Sequence, residues 1–163
     1  MSAHFENDTI ELKGLKQLQK LLKTKLPVLQ IGVLAGSSRT DGQLNNAEIG
    51  AIHEFGSPLR NIPQRSFLLM PLTTVFKTEL DQSKLLSKDA LGKCAKEGTF
   101  HGLFEKLGVL AVKVVDDAFQ SGGFGGWKKW RPGYKNTNNR ILDDTGQLRN
   151  AVTFEVVEGS TNG

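Results

Sequence analysis

Apolar residues along this chain recur at two spacings, and the places where the spacing changes outline its elements. Leu15, Leu18, Leu21, Leu22 and Leu26 fall at helical intervals, predicting a helix that starts after Gly14 breaks a weak alternation over Thr9 to Lys13 and ends at Pro27. Val28 to Leu34 is a β-rich apolar run of strand length and predicts a central strand. Pro71 suits the first residue of a helix, because its missing amide hydrogen would have no partner there anyway, and Leu72, Val75, Phe76 and Leu80 follow on one face. Gln82 to Gly98 predicts more helix with Leu85, Leu86, Ala90, Leu91, Cys94 and Ala95 inward. From Thr99 to Phe119 the heptad-like series Leu103, Phe104, Leu107, Leu110, Ala111, Val114, Val115 and Ala118 predicts the longest helix, with a bend where Gly92, Gly98 and Gly102 weaken the connection. Ala151 to Val157 alternates as a last strand. The expected fold is α+β, a small mixed or antiparallel sheet packed by a long helix and shorter ones. It is expected to form a single domain over residues 1–163, with flexible loops near 35–44 and 121–139 and a disordered tail after Glu158.

The most tightly specified stretch runs from Leu44 to Leu69. Asn45 and Glu48 have the spacing of a capping box, and Leu44 with Ile49 that of a hydrophobic staple, so a helix starts here at a defined angle. Gly56 closes it after about three turns, and Pro58 prevents continuation. Ile62 precedes Pro63 and is pushed into extended backbone, so Asn61 to Leu68 should lie against the protein. Ile52, Phe55, Ile62, Arg65 and Phe67 are the expected structured centre. Near the C-terminus Asp144 and Gln147 form a second capping pair for a short turn through Asn150.

These segments carry a family resemblance. The run Ala47-Glu48-Ile49-Gly50-Ala51-Ile52-His53-Glu54-Phe55-Gly56, then Ile62-Pro63-Gln64-Arg65-Ser66-Phe67-Leu68, resembles the signature of the bacteriophage tail-completion (virion morphogenesis) family, the Mu-like and lambdoid components of the head-tail joint. Trp130-Arg131-Pro132 followed by Ile141 to Val152, with Asp144, Thr145, Gly146, Leu148 and Arg149, is similar to that family's closing segment. Ser66, where the pattern has a second Pro, and the glycine-rich stretch Ser121 to Gly126 depart from it. The resemblance implies a structural virion protein with no catalysis and no cofactor or metal, located in the neck or tail and assembled in the host cytoplasm. It implies a homo-oligomer, a six-fold ring that caps the tail or joins it to the head connector. Its partners would be other neck, connector, tail-terminator or tail-tube proteins, with transient proximity to packaged DNA and no membrane. Contact surfaces are expected in the loops, at Ser37 and Arg39 and at Phe124, Trp127, Lys128, Lys129, Trp130 and Arg131.

Composition narrows the alternatives. Among 163 residues, 21 Lys and Arg against 17 Asp and Glu give a net charge of +4, too mild to choose between a nucleic acid and an acidic protein surface. A lone Cys94 has no partner for an internal disulfide, and the first residues lack the basic and apolar run of a leader, which predicts an intracellular protein. Gly36 to Gln43 is a small, polar surface loop that does not lead into Gly-Lys-Ser/Thr, so it is no phosphate cradle. His53-Glu54 would need a second His at position 57 to hold zinc, and Ser57 stands there. His4, His53 and His101 are scattered, Cys94 lies on an apolar helix face as a small core residue, and no serine sits in a nucleophile elbow. The second functional reading is a nucleic-acid-binding module. It would use the basic face of the first helix (Lys16, Lys20, Lys23, Lys25) and the aromatic-basic stretch Trp127 to Lys135, although a solvated outer face explains the lysines more simply.

Overall fold

The computed structural model describes residues 2–24, 26–33, 44–129, 140–142 and 145–159, with the backbone alone over 2–11. In chain order these form α1 (Ser2–Leu22), β1 (Val28–Val33), α2 (Asn46–Phe55), α3 (Leu69–Thr74), α4 (Phe76–Ser83), α5 (Lys88–Glu97), α6 (His101–Ser121), α7 (Gln147–Asn150) and β2 (Val152–Val157). The fold is α+β, mostly helical, with one antiparallel two-stranded sheet among the described residues. Of the loop expected near 35–44, residues 35–43 lie outside the described residues, as does the expected tail from Ser160 onward.

The contacts gather into two compact units interleaved in sequence. One takes Met1–Gln30, Leu80–Gly108 and Glu155–Gly163, the other Ile31–Glu79 and Val109–Phe154. Each has its own core. In the first, Leu21 of α1 packs with Cys94 of α5 and with Phe100 and Leu103. Burial pushes the Cys94 thiol above its usual range, as desolvation of a thiolate requires. In the second, Phe67, Val115, Ala118, Phe119, Trp127, Leu142, Leu148 and Val152 form one cluster, with Val33, Ile49 and Leu72 packed against it.

Several expectations change. Helix α1 begins at Ser2 and passes through Gly14, because one glycine weakens a helix by only about 1 kcal/mol and this helix is 21 residues long. It therefore equals α6, also 21 residues, in length. Strand β1 is not central among the described residues, since its only sheet neighbour there is β2. The helix around Pro71 starts two residues earlier, at Leu69, and Leu86, expected inward, is half exposed. The bend foreseen at the glycines falls at Gly98, whose left-handed φ of 72° closes α5, while Gly92 and Gly102 stay inside helices.

Candidate functional site

Helix α2 begins as its spacing dictates. The Glu48 amide donates to Asn45 Oδ1 at 2.9 Å and the Asn45 amide to Glu48 Oε2 at 2.8 Å, closing the capping box. At its other end Gly56 takes φ 75° and ψ 171°, a conformation that essentially only glycine adopts, and a Cβ there would stand 2.8 Å from the Gln64 nitrogen. The chain then reverses over residues 57–62. Ser57 and Ile62 exchange backbone hydrogen bonds of 2.8 and 2.9 Å around a 3-10 turn at Pro58–Arg60, and Asn61 sits in the left-handed region.

That reversal lays residues 64–69 across the end of α2, and the two segments cap each other. Carbonyls in the last turn of a helix have no partner within it. The Gln64 side-chain amide donates to the Glu54 carbonyl at 3.0 Å, and the Arg65 amide to the His53 carbonyl at 2.8 Å. In return the buried Glu54 carboxylate receives four hydrogen bonds. Its Oε2 accepts from the Phe67 and Leu68 amides at 2.8 and 3.0 Å, and its Oε1 from the Leu69 amide at 3.0 Å and the Ser66 hydroxyl at 2.6 Å. The Ser66 oxygen also accepts from the Met70 amide at 2.9 Å. Pro71 has no amide hydrogen, so no N–H at the start of α3 is left without an acceptor. Ser66 is thus a relay, and a proline at that position would lose both of its hydroxyl bonds.

Residues 127–129 are fastened to the same segment. The Trp127 indole N–H donates to the Ser66 carbonyl at 3.2 Å. Arg65, buried, donates through Nε to the Lys128 carbonyl at 2.9 Å and through Nη2 to the Lys129 carbonyl at 3.4 Å. Trp127 stands edge-on to Phe119 with centroids 5.7 Å apart, and Phe119 lies 5.3 Å from Phe67. The glycine-rich stretch permits this. Gly123 has φ 69° and donates to the Ala118 carbonyl at 2.7 Å, and a Cβ on it would fall 2.2 Å from the indole nitrogen. Residues 121–129 are therefore a hydrogen-bonded turn that tucks the tryptophan under the end of α6, rather than a free loop.

The closing segment meets the first one here. At Gly50, where α2 comes close to its neighbours, a Cβ would stand 3.3 Å from Phe67 Cζ and 3.4 Å from Leu148 Cδ1. Gly146, with φ 75°, stands at the N-cap of α7, and the Gln147 side-chain amide donates to the Thr145 hydroxyl at 3.2 Å; Asp144, expected to cap this turn with Gln147, lies outside the described residues. Arg149 grips Asp116 of α6 in a two-pronged ion pair, with Nη2 to Oδ2 at 2.8 Å. This hydrogen-bonded guanidinium, with help from Gln120, holds the Asp116 carboxyl below the ordinary aspartate range.

The residues singled out in the sequence are thus distributed unevenly. Phe67, Arg65, Leu148 and Trp127 are buried, Ile49, Ile52, Ile62, Pro63 and Gly56 are half-buried, and Thr145, Phe124, Lys128 and Lys129 are exposed. Phe55, expected in the structured centre, is 72% exposed, because Glu54 rather than Phe55 is the side chain turned toward residues 66–69. Trp127, expected as a contact residue, is only 7% exposed and belongs to the core. Ser37, Arg39, Trp130, Arg131 and Asp144 lie outside the described residues. Glu54 enters the sequence reading only through an incomplete zinc motif, Ser66 only as a departure from the family pattern and Asp116 not at all, and a carboxylate two residues before a helix-ending glycine is the local hint of the first.

Chemically the arrangement fixes a shape. Both Glu54 oxygens already accept two bonds each, which fills the carboxylate's capacity and leaves no lone pair to take a proton from a substrate. Among the described residues no group of His, Cys, Asp and Glu could hold a metal ion, and no helix is long and apolar enough to cross a membrane. What faces outward is an open groove of about 470 Å³ with Phe55, Pro58, Ile62 and Pro63 along it and Lys128 and Lys129 at its side. Leu59 and Leu69 are also exposed in this unit. Comparison with protein-family models, curated proteins and solved structures returns no match.

Replacing Glu54 by Ala strips four donors of their acceptor and should destabilise the chain by about 2–4 kcal/mol in urea or guanidinium unfolding. Glu54→Gln keeps one oxygen but turns an amide donor toward backbone donors, and should also lose stability; a wild-type midpoint for both variants would refute the capping role. Asp116 gives a pH test. Its carboxyl is depressed in the folded chain, so its stabilisation is complete above the unfolded aspartate value and fades as pH falls through the lower folded value. The stability gap between wild type and Asp116→Asn should therefore be largest near neutrality and close in acid, and a gap that widened on acidification would contradict the ion pair.

Proposed function

We propose that this chain is a structural component of a bacteriophage virion, a tail-completion or neck protein of the head-tail joint. Copies of it form a ring, six in number by the resemblance, that caps the tail or joins it to the head connector. The observation that supports this reading is that the described parts of the segments bearing the family resemblance lie in one unit and spend polar groups on holding its shape. Glu54, Ser66, Arg65 and Trp127 tie 54 to 66–69 and 65–66 to 127–129, and Gly50 brings the first segment against Leu148 of the second.

A protein that works by fitting needs a rigid frame and apolar surface left outside it. Phe55, Leu59, Leu69 and Phe124 supply such surface in this unit, and Phe55 lines a groove flanked by Lys128 and Lys129. Specific contacts between subunits bury on the order of 1,000 Å² or more, and exposed aromatic and large aliphatic side chains are their usual anchors. Binding of nucleic acid has less support, because Trp127, the described aromatic of the basic stretch, is packed in the core and cannot stack on a base.

Deleting the gene from the phage that carries it should give separate heads and tails, or tails with defective ends, in electron micrographs of lysates. Normal, fully infectious particles from the deletion would rule the reading out. Lys128→Glu with Lys129→Glu separates the alternatives: loss of salt-sensitive DNA binding with joining intact would favour the nucleic-acid module.

A further inference from the structure

Helix α1 has two apolar faces, and the first unit uses one of them. Leu18 and Leu21 face the core with Cys94, Phe100 and Leu103. Leu12, Leu15 and Leu22 remain 57%, 56% and 55% exposed. Scattered surface leucines need no explanation, but these are in register. Positions 12, 15, 19 and 22 follow the three-four-three steps of a heptad seam, with Gln19 as its polar member, and the same steps taken backward reach positions 8 and 5, Asp8 and Phe5. Leu26, just past the helix, extends the exposed apolar run.

The charges along the helix say what covers this seam. The first half of α1 carries Glu6, Asp8 and Glu11 and no Lys or Arg, and the second half carries Lys13, Lys16 and Lys20, followed by Lys23, and no acid. Two such helices side by side in parallel would set the acidic half beside the acidic half and the basic half beside the basic half. Antiparallel, each acidic half meets a basic half and the helix dipoles oppose. A two-fold axis midway between residues 13 and 14 then brings position 12 level with position 15, position 8 with position 19 and position 5 with position 22.

We infer that two copies of the free chain pair through α1, antiparallel, along the seam of Leu12, Leu15, Gln19 and Leu22. Such a contact uses the same patch on both partners and closes at two copies, so it cannot by itself propagate a ring. It is a contact of the unassembled chain, independent of any role in a virion. A seam of about three heptads on one helix belongs with the small, reversible interfaces.

Light scattering after size exclusion tests it, with the full chain loaded at about 1 to 100 µM, the range in which weak pairs form and separate. The mass should rise from 17.9 kDa toward twice that value. Leu15→Glu with Leu22→Glu changes two exposed side chains, so its circular dichroism should match wild type while its mass stays that of one chain. Orientation is read from cysteine pairs. Phe5→Cys mixed with Leu22→Cys should form a disulfide-linked dimer under mild oxidation, whereas wild type and Phe5→Cys alone should not. A monomer at every concentration, or an oligomer indifferent to the leucine substitutions, would overturn the pairing, and linkage of Phe5→Cys to itself would overturn the antiparallel geometry. A monomer that instead sediments with anionic phospholipid vesicles, and loses this with Leu15→Glu and Leu22→Glu, would assign the seam to a lipid surface.

Discussion

One carboxylate organises the second unit. Glu54 sits in the last turn of α2, where a negative charge is unfavourable toward its own helix, yet its oxygens lie against the first amides of α3, where a negative charge is favoured. A single side chain thus trades one helix end for another. The opposite exchange, from Gln64 and Arg65 to the Glu54 and His53 carbonyls, makes the connection reciprocal. Remove either half and a helix end in a partly buried place is left without partners, so the reversal over 57–62 and the capping must form together.

From that joint the constraint spreads outward. With residues 66–69 fixed, Phe67 enters the core beside Phe119, and the Ser66 carbonyl is presented to the Trp127 indole. Arg65, fixed by its own backbone bond, holds the carbonyls of Lys128 and Lys129 and so sets where the exposed lysines leave the surface. The Arg149–Asp116 pair binds the closing segment to α6 in the same unit. Every polar group in this series is directed inward at the protein's own backbone or charges. Outside it lies a groove in which Phe55, Pro58, Ile62 and Pro63 stand with Asn61, Gln64 and two lysines. An inward-saturated frame beside exposed apolar side chains is what supports the proposal that the molecule is a part that fits others.

Much of this was legible because it is local. The capping box at Asn45 and Glu48, the stop at Gly56, the apolar face of α6 and both strands are written within a few residues of where they act. What the sequence hid depends on contacts at long range. Glu54 acquires its role from residues 12 to 15 positions later, and only because the chain doubles back. Trp127 looks like a loop aromatic until Gly123 lets the backbone fold it under α6. Phe55 has the character of a core residue, but burying Glu54 turns it outward. The division into two interleaved units leaves no mark on composition, since α4, α6 and both strands each contribute residues to both.

Hydrogen exchange at the amides of Phe67, Leu68 and Leu69 tests the central joint most directly. If the Glu54 carboxylate holds them as described, they exchange as slowly as the buried turns of α6 around Val114 and Phe119. Exchange at the rate of an open loop, with α6 still protected, would contradict the account.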